Sequence, residues 1–423
     1  MSATDLQTPV TDGAIRSINF FNGRLLSARD LTLEQSAYRE ADRRLGKAIG
    51  DGIAYGLEVA KPTNFKKESP SVTVEAGLAI NRLGQTLMLK ARTDVALVRT
   101  SNTSAASAGF SDCLPLQTGA YVAGAGIYLL TIAPAQTSEG RAVTSATNPA
   151  TTTCNTDTVV SAVQFRLIQI DSKFTQQELQ ATNRLRNIIA YRCFGAADIK
   201  PFIADPFGTE IEKWGLLDDL RSNPLTDCEV PLGILFWTEN DGISFIDMWS
   251  VRRRIMKPKA TSMWIALNSD RRCAESEAMF LQFQDQLQDL RKQPLNLATV
   301  DATTFFNFLP PIGFLPVGTA PLPAFDYKAF FQNKIHRDPV FIEGAQMDSL
   351  MKEALSYPPV DLSSGEMVWL YFIRENVQLF DLGGAQRPET YIVFVNGHTL
   401  YRGDARYDLN RFDFGNFGVI GEL

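Results

Sequence analysis

Charged and apolar positions first fall into register just after Ser27, where Leu31, Tyr38, Leu45 and Ile49 recur at helical spacing. Ser27 and Asp30 have the separation of a capping pair, so a helix is expected to open at Ser27. Gly46, Gly50 and Gly52 are expected to close it. Arg29, Arg39, Glu40, Asp42, Arg43 and Arg44 crowd the rest of its surface. A helix with so thin an apolar stripe packs on one partner only or lies at a surface.

The period then changes to two. Val72 and Val74 alternate with polar residues, and Leu78, Ile80, Leu87 and Leu89 continue the alternation around a turn at Arg82–Gly84, which predicts half-buried hairpin strands. Thr100 to Gly109 and Ala142 to Thr158 are rich in Ser, Thr and Ala and read as long surface loops. Ile127 to Ile132 reads as the core of a buried strand, and a strand around Gln164 leads into one helix from about Thr175 to Arg192. A short helix is expected within Glu210–Leu220. Two apolar runs, Gly233–Trp237 and Ile243–Trp249, flank Asp241-Gly242 and predict a hairpin. Phe280, Phe283, Leu287 and Leu290 line one face of a helix over Ala274–Lys292, and a further helix fits Gly344–Leu355. Val368–Ile373 reads as a strand, and Asn396-Gly397 predicts a hairpin between Tyr391–Val395 and His398–Tyr401.

These elements make the fold class α+β: a strand-rich, multi-domain protein with inserted helices. At roughly 100–200 residues per domain, two to four domains are expected. The divisions read from the pattern are 1–60, an N-terminal helical docking segment; 61–260, a β-rich domain with Ser/Thr-rich loop insertions; and 261–423, an α+β C-terminal domain.

A formal net charge of −6 argues against a nucleic-acid partner, because phosphate contacts need a basic surface. The start of the chain lacks an apolar core behind a basic head, so no signal peptide is read and synthesis in the cytoplasm is expected. Ala120–Ala135 is too short and too rich in glycine for a spanning helix, so no integral membrane segment is expected. Cys113, Cys154, Cys193, Cys228 and Cys273 stand too far apart for a zinc knuckle or redox pair and suggest buried thiols in a reducing compartment.

The search for chemistry returns little. His336 and His398 sit in polar or turn segments and read as solvated. Phosphate-loop, dinucleotide, metalloprotease and nucleophile-elbow motifs are missing, so catalytic, metal and cofactor residues are all read as none. Asp218, Asp219, Glu239, Asp241, Asp247 and Glu366 remain eligible for a carboxylate pair but read better as turn and cap residues. Arg252–Arg254 is the densest basic run and reads as surface charge or ion-pair partners before it reads as a phosphate or acidic-partner site. Trp237 and Trp249 could stack sugars, although core packing is the commoner role. Asp404, Asp408 and Asp413 interleave with Arg402, Arg406 and Arg411, which suggests local ion pairs.

The segment from Ile18 to Val59 contains FFNGRLLSARDLTLEQ followed by GIAYGLEV, and VTVEAGLAINRLGQTLML spans Val72–Leu89. Together these resemble the opening of a family of baseplate-associated accessory proteins of bacterial, phage-tail-like contractile injection systems. Val230–Arg254, Leu309–Val317 and Pro339–Asn376 resemble later parts of the same family. The resemblance implies a structural component of the baseplate periphery or an appendage, acting by protein–protein assembly in symmetric multiple copies, with no cofactor. Other baseplate or appendage subunits would be its partners. The particle would be cytoplasmic, tethered to a membrane directly or indirectly, or released. The interface candidates are Phe20, Phe21, Asn22, Gly23, Arg24, Tyr38 and Arg43 in the opening motif, with Phe412, Phe414 and Phe417 in an aromatic tail. The alternative is a receptor- or glycan-binding tail-fibre-like protein with a hydrolase's carboxylate pair.

Overall fold

A computed structural model describes residues 6–65, 70–97, 125–143, 154–198, 215–221, 223–256, 270–318, 323–381 and 388–402. The fold is α+β, with several mostly antiparallel sheets and helices packed on them.

Helix α1 (Ala28–Ile49) leads into six short strands: β1 (Gly52–Gly56), β2 (Val59–Ala60), β3 (Ser71–Val74), β4 (Gly77–Ile80), β5 (Thr86–Leu89) and β6 (Thr93–Ala96). They form two three-stranded sheets, β1-β4-β5 and β2-β3-β6. The alternation at Val72–Leu89 therefore locates the strands, but β3 and β4 belong to different sheets rather than to one hairpin. Gly46 lies inside α1 rather than closing it, because the backbone of Gly84 packs against it.

Next come β7 (Gly126–Val143) and β8 (Cys154–Gln169), then α2 (Gln176–Gln180), α3 (Thr182–Cys193), α4 (Gly215–Leu220), β9 (Val230–Thr238) and β10 (Gly242–Asp247). The larger sheet runs β10-β9-β7-β8. Strand alternation sends Tyr128, Leu130 and Ile132 of β7 into a core shared with Ile53, Leu57, Val72 and Leu87 of the small sheets. Ile127 and Leu129 point the other way, into a core with Leu185, Ile188 and Ile189 of α3. A strand covered on both faces reads as a near-continuous apolar run, as at Ile127–Ile132, broken only by Thr131, which donates to Glu229. The loop expected at Ala142–Thr158 is partly strand, since β7 runs to Val143 and β8 starts at Cys154. The expected loop at Thr100–Gly109 lies outside the described residues. The single helix expected from Thr175 is two, because Ala181 leaves helical geometry at ψ 59°.

In the C-terminal part, α5 (Asp270–Lys292) precedes β11 (Phe308–Leu309), β12 (Ile312–Pro316), α6 (Tyr327–Phe330), β13 (Ile335–His336), β14 (Val340–Ile342), α7 (Met347–Ala354), β15 (Val360–Asp361), β16 (Met367–Ile373), α8 (Arg374–Asp381) and β17 (Tyr391–Asn396). One sheet has the order β12-β17-β16-β13, with β14 also on β16. Phe283, Leu287 and Leu290 of α5 cover one face with Leu370 and Phe394; Leu350 and Ala354 of α7 cover the other with Trp369 and Val393. The hairpin expected at Asn396-Gly397 does not form. β17 already has β12 on one side and β16 on the other, so no edge is left for His398–Tyr401. Asn396 instead closes a turn, accepting the His398 N–H at 2.9 Å.

Cys228 is disulfide-bonded, while Cys193 is a buried and Cys273 an exposed free thiol. The expectation of buried thiols holds for Cys193, whose thiol burial pushes up to about 12. It fails for Cys228 and Cys273, because spacing along a chain does not say which cysteines meet in space or which lie on a solvated face.

Candidate functional site: an exposed N-terminal arm and helix

The residues before α1 form an arm that is laid along the helix and built without a core. Gly23 has φ +90°, a backbone that favours glycine, and this lets Phe21 O accept the Arg24 N–H at 3.2 Å. The Arg24 guanidinium bolts that turn to the helix, donating to Asn19 O at 2.9 Å and to Asp30 at 2.8 Å. Further along, the Ile18 N–H donates to Glu34 at 2.9 Å and Arg44 donates to Gly13 O at 2.5 Å. Polar bonds therefore hold the arm, and its apolar side chains are left outward. Phe20 is 55% exposed, Phe21 62% and Leu25 92%; on the helix, Tyr38 is 67% and Leu45 65% exposed. Gly46 is the buried residue of α1.

The helix start matches its capping signature. Ser27 accepts the Asp30 N–H, and the Asp30 side chain returns a bond to the Ser27 N–H at 2.9 Å. Hydrogen bonds from the Ser27 side chain and backbone, then from Arg24, hold the Asp30 carboxyl at about 2, below its ordinary 3.8. A lowered folded pKa means that the cap is at full strength above about pH 4 and is lost as pH falls through about 2. The α1 circular-dichroism signal is therefore expected to fade over that acid window, and Asp30→Asn to weaken the helix at neutral pH.

Phe20, Phe21 and Tyr38 face outward; Asn22, Gly23 and Arg24 make the turn that presents them. Arg43 lies where α1 meets the body: its carbonyl oxygen would stand 2.0 Å from a Cβ placed on Gly84. Phe412, Phe414 and Phe417 lie outside the described residues.

The other candidates scatter. Trp237 is buried beside Phe65, their ring centroids 6.3 Å apart, while Trp249 lies beyond β10 under the Arg252 guanidinium. They form no paired platform for a sugar. Asp218 accepts from Arg82 at 2.8 Å, Asp219 from Lys173 at 2.6 Å, and Glu366 from the Asp361 N–H at 3.0 Å. Asp241 closes the β9–β10 turn with Thr238, and Asp247 pairs with Arg186 at 2.8 Å. Glu239 is likewise engaged. Among the described residues, no group of three or more His, Cys, Asp or Glu could hold a metal ion, and no helix is long and apolar enough to cross a membrane.

Two residues of the arginine run correct the surface-charge reading, while Arg254 is exposed and ion-paired as expected. Arg252 and Arg253 are buried and donate mainly to carbonyl oxygens: Arg252 to those of Gly56 and Leu57, Arg253 to those of Trp249, Ser250 and Arg252. Arg254 pairs with Glu277 at 3.0 Å. The run pins β1 and the β10 turn together. Arg402, expected to pair within the tail, donates instead to Gln346 O, Ser349 and Glu353 around α7.

No family model and no curated protein matches this sequence. Among solved structures, the crystal structure of TssK aligns with TM-score 0.21 and 8% identity, over 47% of this chain and 51% of TssK. The aligned part thus spans about half the length of that protein. A likeness of that size establishes neither a shared fold nor a shared role.

Proposed function

We propose that this chain is a structural subunit of a phage-tail-like contractile injection particle, at the baseplate periphery or on an appendage, and that the arm with α1 is its docking element. The observation that carries this reading is a segment of more than forty residues whose large side chains face water. Ordering backbone costs about 1–2 kcal/mol per residue, and burying a Leu or Phe returns about 1.5–3 kcal/mol. A surface closing over Phe20, Phe21, Leu25, Leu31, Tyr38 and Leu45 supplies what the chain's own core does not. Leu31, Tyr38 and Leu45 stand seven residues apart, so they form one stripe along α1 beside the arm. The resemblance of Ile18–Val59 to baseplate-associated proteins points to the same segment. On this reading, residues 1–60 are the docking segment, 61–260 the β-rich domain and 261–423 the C-terminal domain.

The triple variant Leu31→Asp, Tyr38→Asp, Leu45→Asp tests it. Loss of three buried apolar contacts is expected to lower incorporation into purified particles at least about 100-fold. The melting temperature of the isolated chain should stay unchanged. Incorporation at the wild-type level, measured by mass spectrometry of the particles, would refute the docking role.

A further inference from the structure

The β10-β9-β7-β8 sheet ends in two different edges. β10 is six residues long, and its register on β9 shifts between Ile243 and Phe245. Such an irregularity discourages pairing at an edge. β8 has 16 residues without a proline and pairs with β7 in one register from Gln169 to Cys154. Because the Ile170 N–H donates to Ile127 O, the even-numbered residues of β8 bond toward β7. The backbone N–H and C=O groups of Val159, Ser161, Val163, Phe165 and Leu167 then face away from the sheet. Among the described residues, no strand pairs with that side.

Among the described residues, half of β8 also pairs with no strand but β7. β9 pairs with β7 only as far as Ile132, so residues 134–143 and 154–163 continue as a two-stranded ribbon. Ser138 to Arg141 are exposed at its outer part, and so is Val159. A two-stranded ribbon is marginal in water, whereas three strands with a packed face are stable.

We infer that β8 pairs antiparallel with β8 of a second copy of this chain, about a two-fold axis at Val163. In that register Ser161 stands opposite the partner copy's Phe165, and Val159 opposite its Leu167. The projecting half of each strand lies against the anchored half of the other, so each ribbon gains its third strand from the part of the partner that is held in a sheet. Like charges do not meet: Asp157 falls opposite Gln169 and Arg166 opposite Val160. The same edge serves both copies, as a two-fold interface requires, and main-chain bonds supply the affinity, as in strand addition generally.

Ser161→Pro removes an outward N–H from an exposed position and leaves the β7 ladder intact. Light scattering on the full chain is expected to give twice the chain mass for wild type and one chain mass for Ser161→Pro, and only the wild-type melting temperature should rise with protein concentration. Ala162→Pro, whose N–H faces β7, should lower the melting temperature as well. A monomeric wild type, or a Ser161→Pro protein that stays dimeric, would overturn the proposal. Should Ser161→Pro not fold, hydrogen exchange of the wild type decides. Concentration-dependent protection of the Val159, Ser161, Val163 and Phe165 amides supports pairing; fast exchange at every concentration rejects it. The α1 triple variant should remain dimeric, which separates this interface from the docking element.

Discussion

Arg186→Ala is expected to cost the protein about 3–5 kcal/mol of stability, the scale of breaking a buried ion pair from one side. Arg186 lies on α3, almost fully buried, and its guanidinium reaches three carboxylates: Asp247 at 2.8 Å, Asp285 at 2.5 Å and Asp289 at 2.8 Å. Burial works against its charge, but the carboxylates outweigh it and hold its pKa above the ordinary arginine value. Burial also raises Asp285 above its ordinary value, despite the arginine beside it. Asp247 decides the size of the effect. It is fully buried at the end of β10, and Gln282 of α5 is its other side-chain donor, at 3.0 Å. Without Arg186 a charged Asp247 is left in the seam between the β-rich part and α5, whereas Asp285 and Asp289 are partly exposed and can be hydrated. Urea unfolding should show the loss, and adding Asp247→Asn should restore part of it. A change under about 1 kcal/mol would mean that the seam is solvated rather than held by this arginine.

The second large effect concerns how the docking helix is carried. A Cβ on Gly46 would lie 2.1 Å from Gly84 O, and one on Gly84 would lie 2.0 Å from Arg43 O. Both clashes are with backbone, which cannot swing aside as a side-chain tip does, and Gly84 also has φ +78°. Gly46→Val or Gly84→Val should therefore push α1 off the body while the cores, which contain no residue of α1, stay folded. Hydrogen exchange is expected to show protection lost in residues 28–49 alone for Gly46→Val, and in the β4–β5 turn as well for Gly84→Val, because of the positive φ there. Particle incorporation should fall about tenfold or more, the equivalent of about 1.4 kcal/mol of lost preorganisation. Full incorporation of both variants would separate the attachment of α1 from its docking.

How legible each feature was depended on how far its cause reaches along the chain. The capping box at Ser27 and Asp30 is complete within four residues, and the structure shows both of its bonds. The Asp241-Gly242 turn is equally local, with Gly242 at φ +69° between β9 and β10. Asn396-Gly397 is as strong a turn signal on paper, yet its hairpin fails because β12, distant in sequence, takes the edge that His398–Tyr401 would have used. Arg252 looked solvated because a run of charge says nothing about the carbonyl oxygens of Gly56 and Leu57, nearly two hundred residues away. At the candidate site the cap and the Gly23-Arg24 turn close over three to six residues, whereas the bonds from Ile18 to Glu34 and from Arg44 to Gly13 join positions 16 and 31 residues apart, which no local motif announces.

The amino-acid pattern alone determined the capped start of α1, the β9–β10 hairpin at Asp241-Gly242 and the strand at Val368–Ile373, since caps, turns and side-chain alternation act over two to five residues. Tertiary structure alone decided which strands share a sheet, which arginines are buried, that Cys228 lies in a disulfide and which strands stand at the edges of the larger sheet. Those outcomes depend on segments far apart in the chain competing for the same neighbours, and a hydrogen bond or a buried charge is settled only once the competing partners are in place.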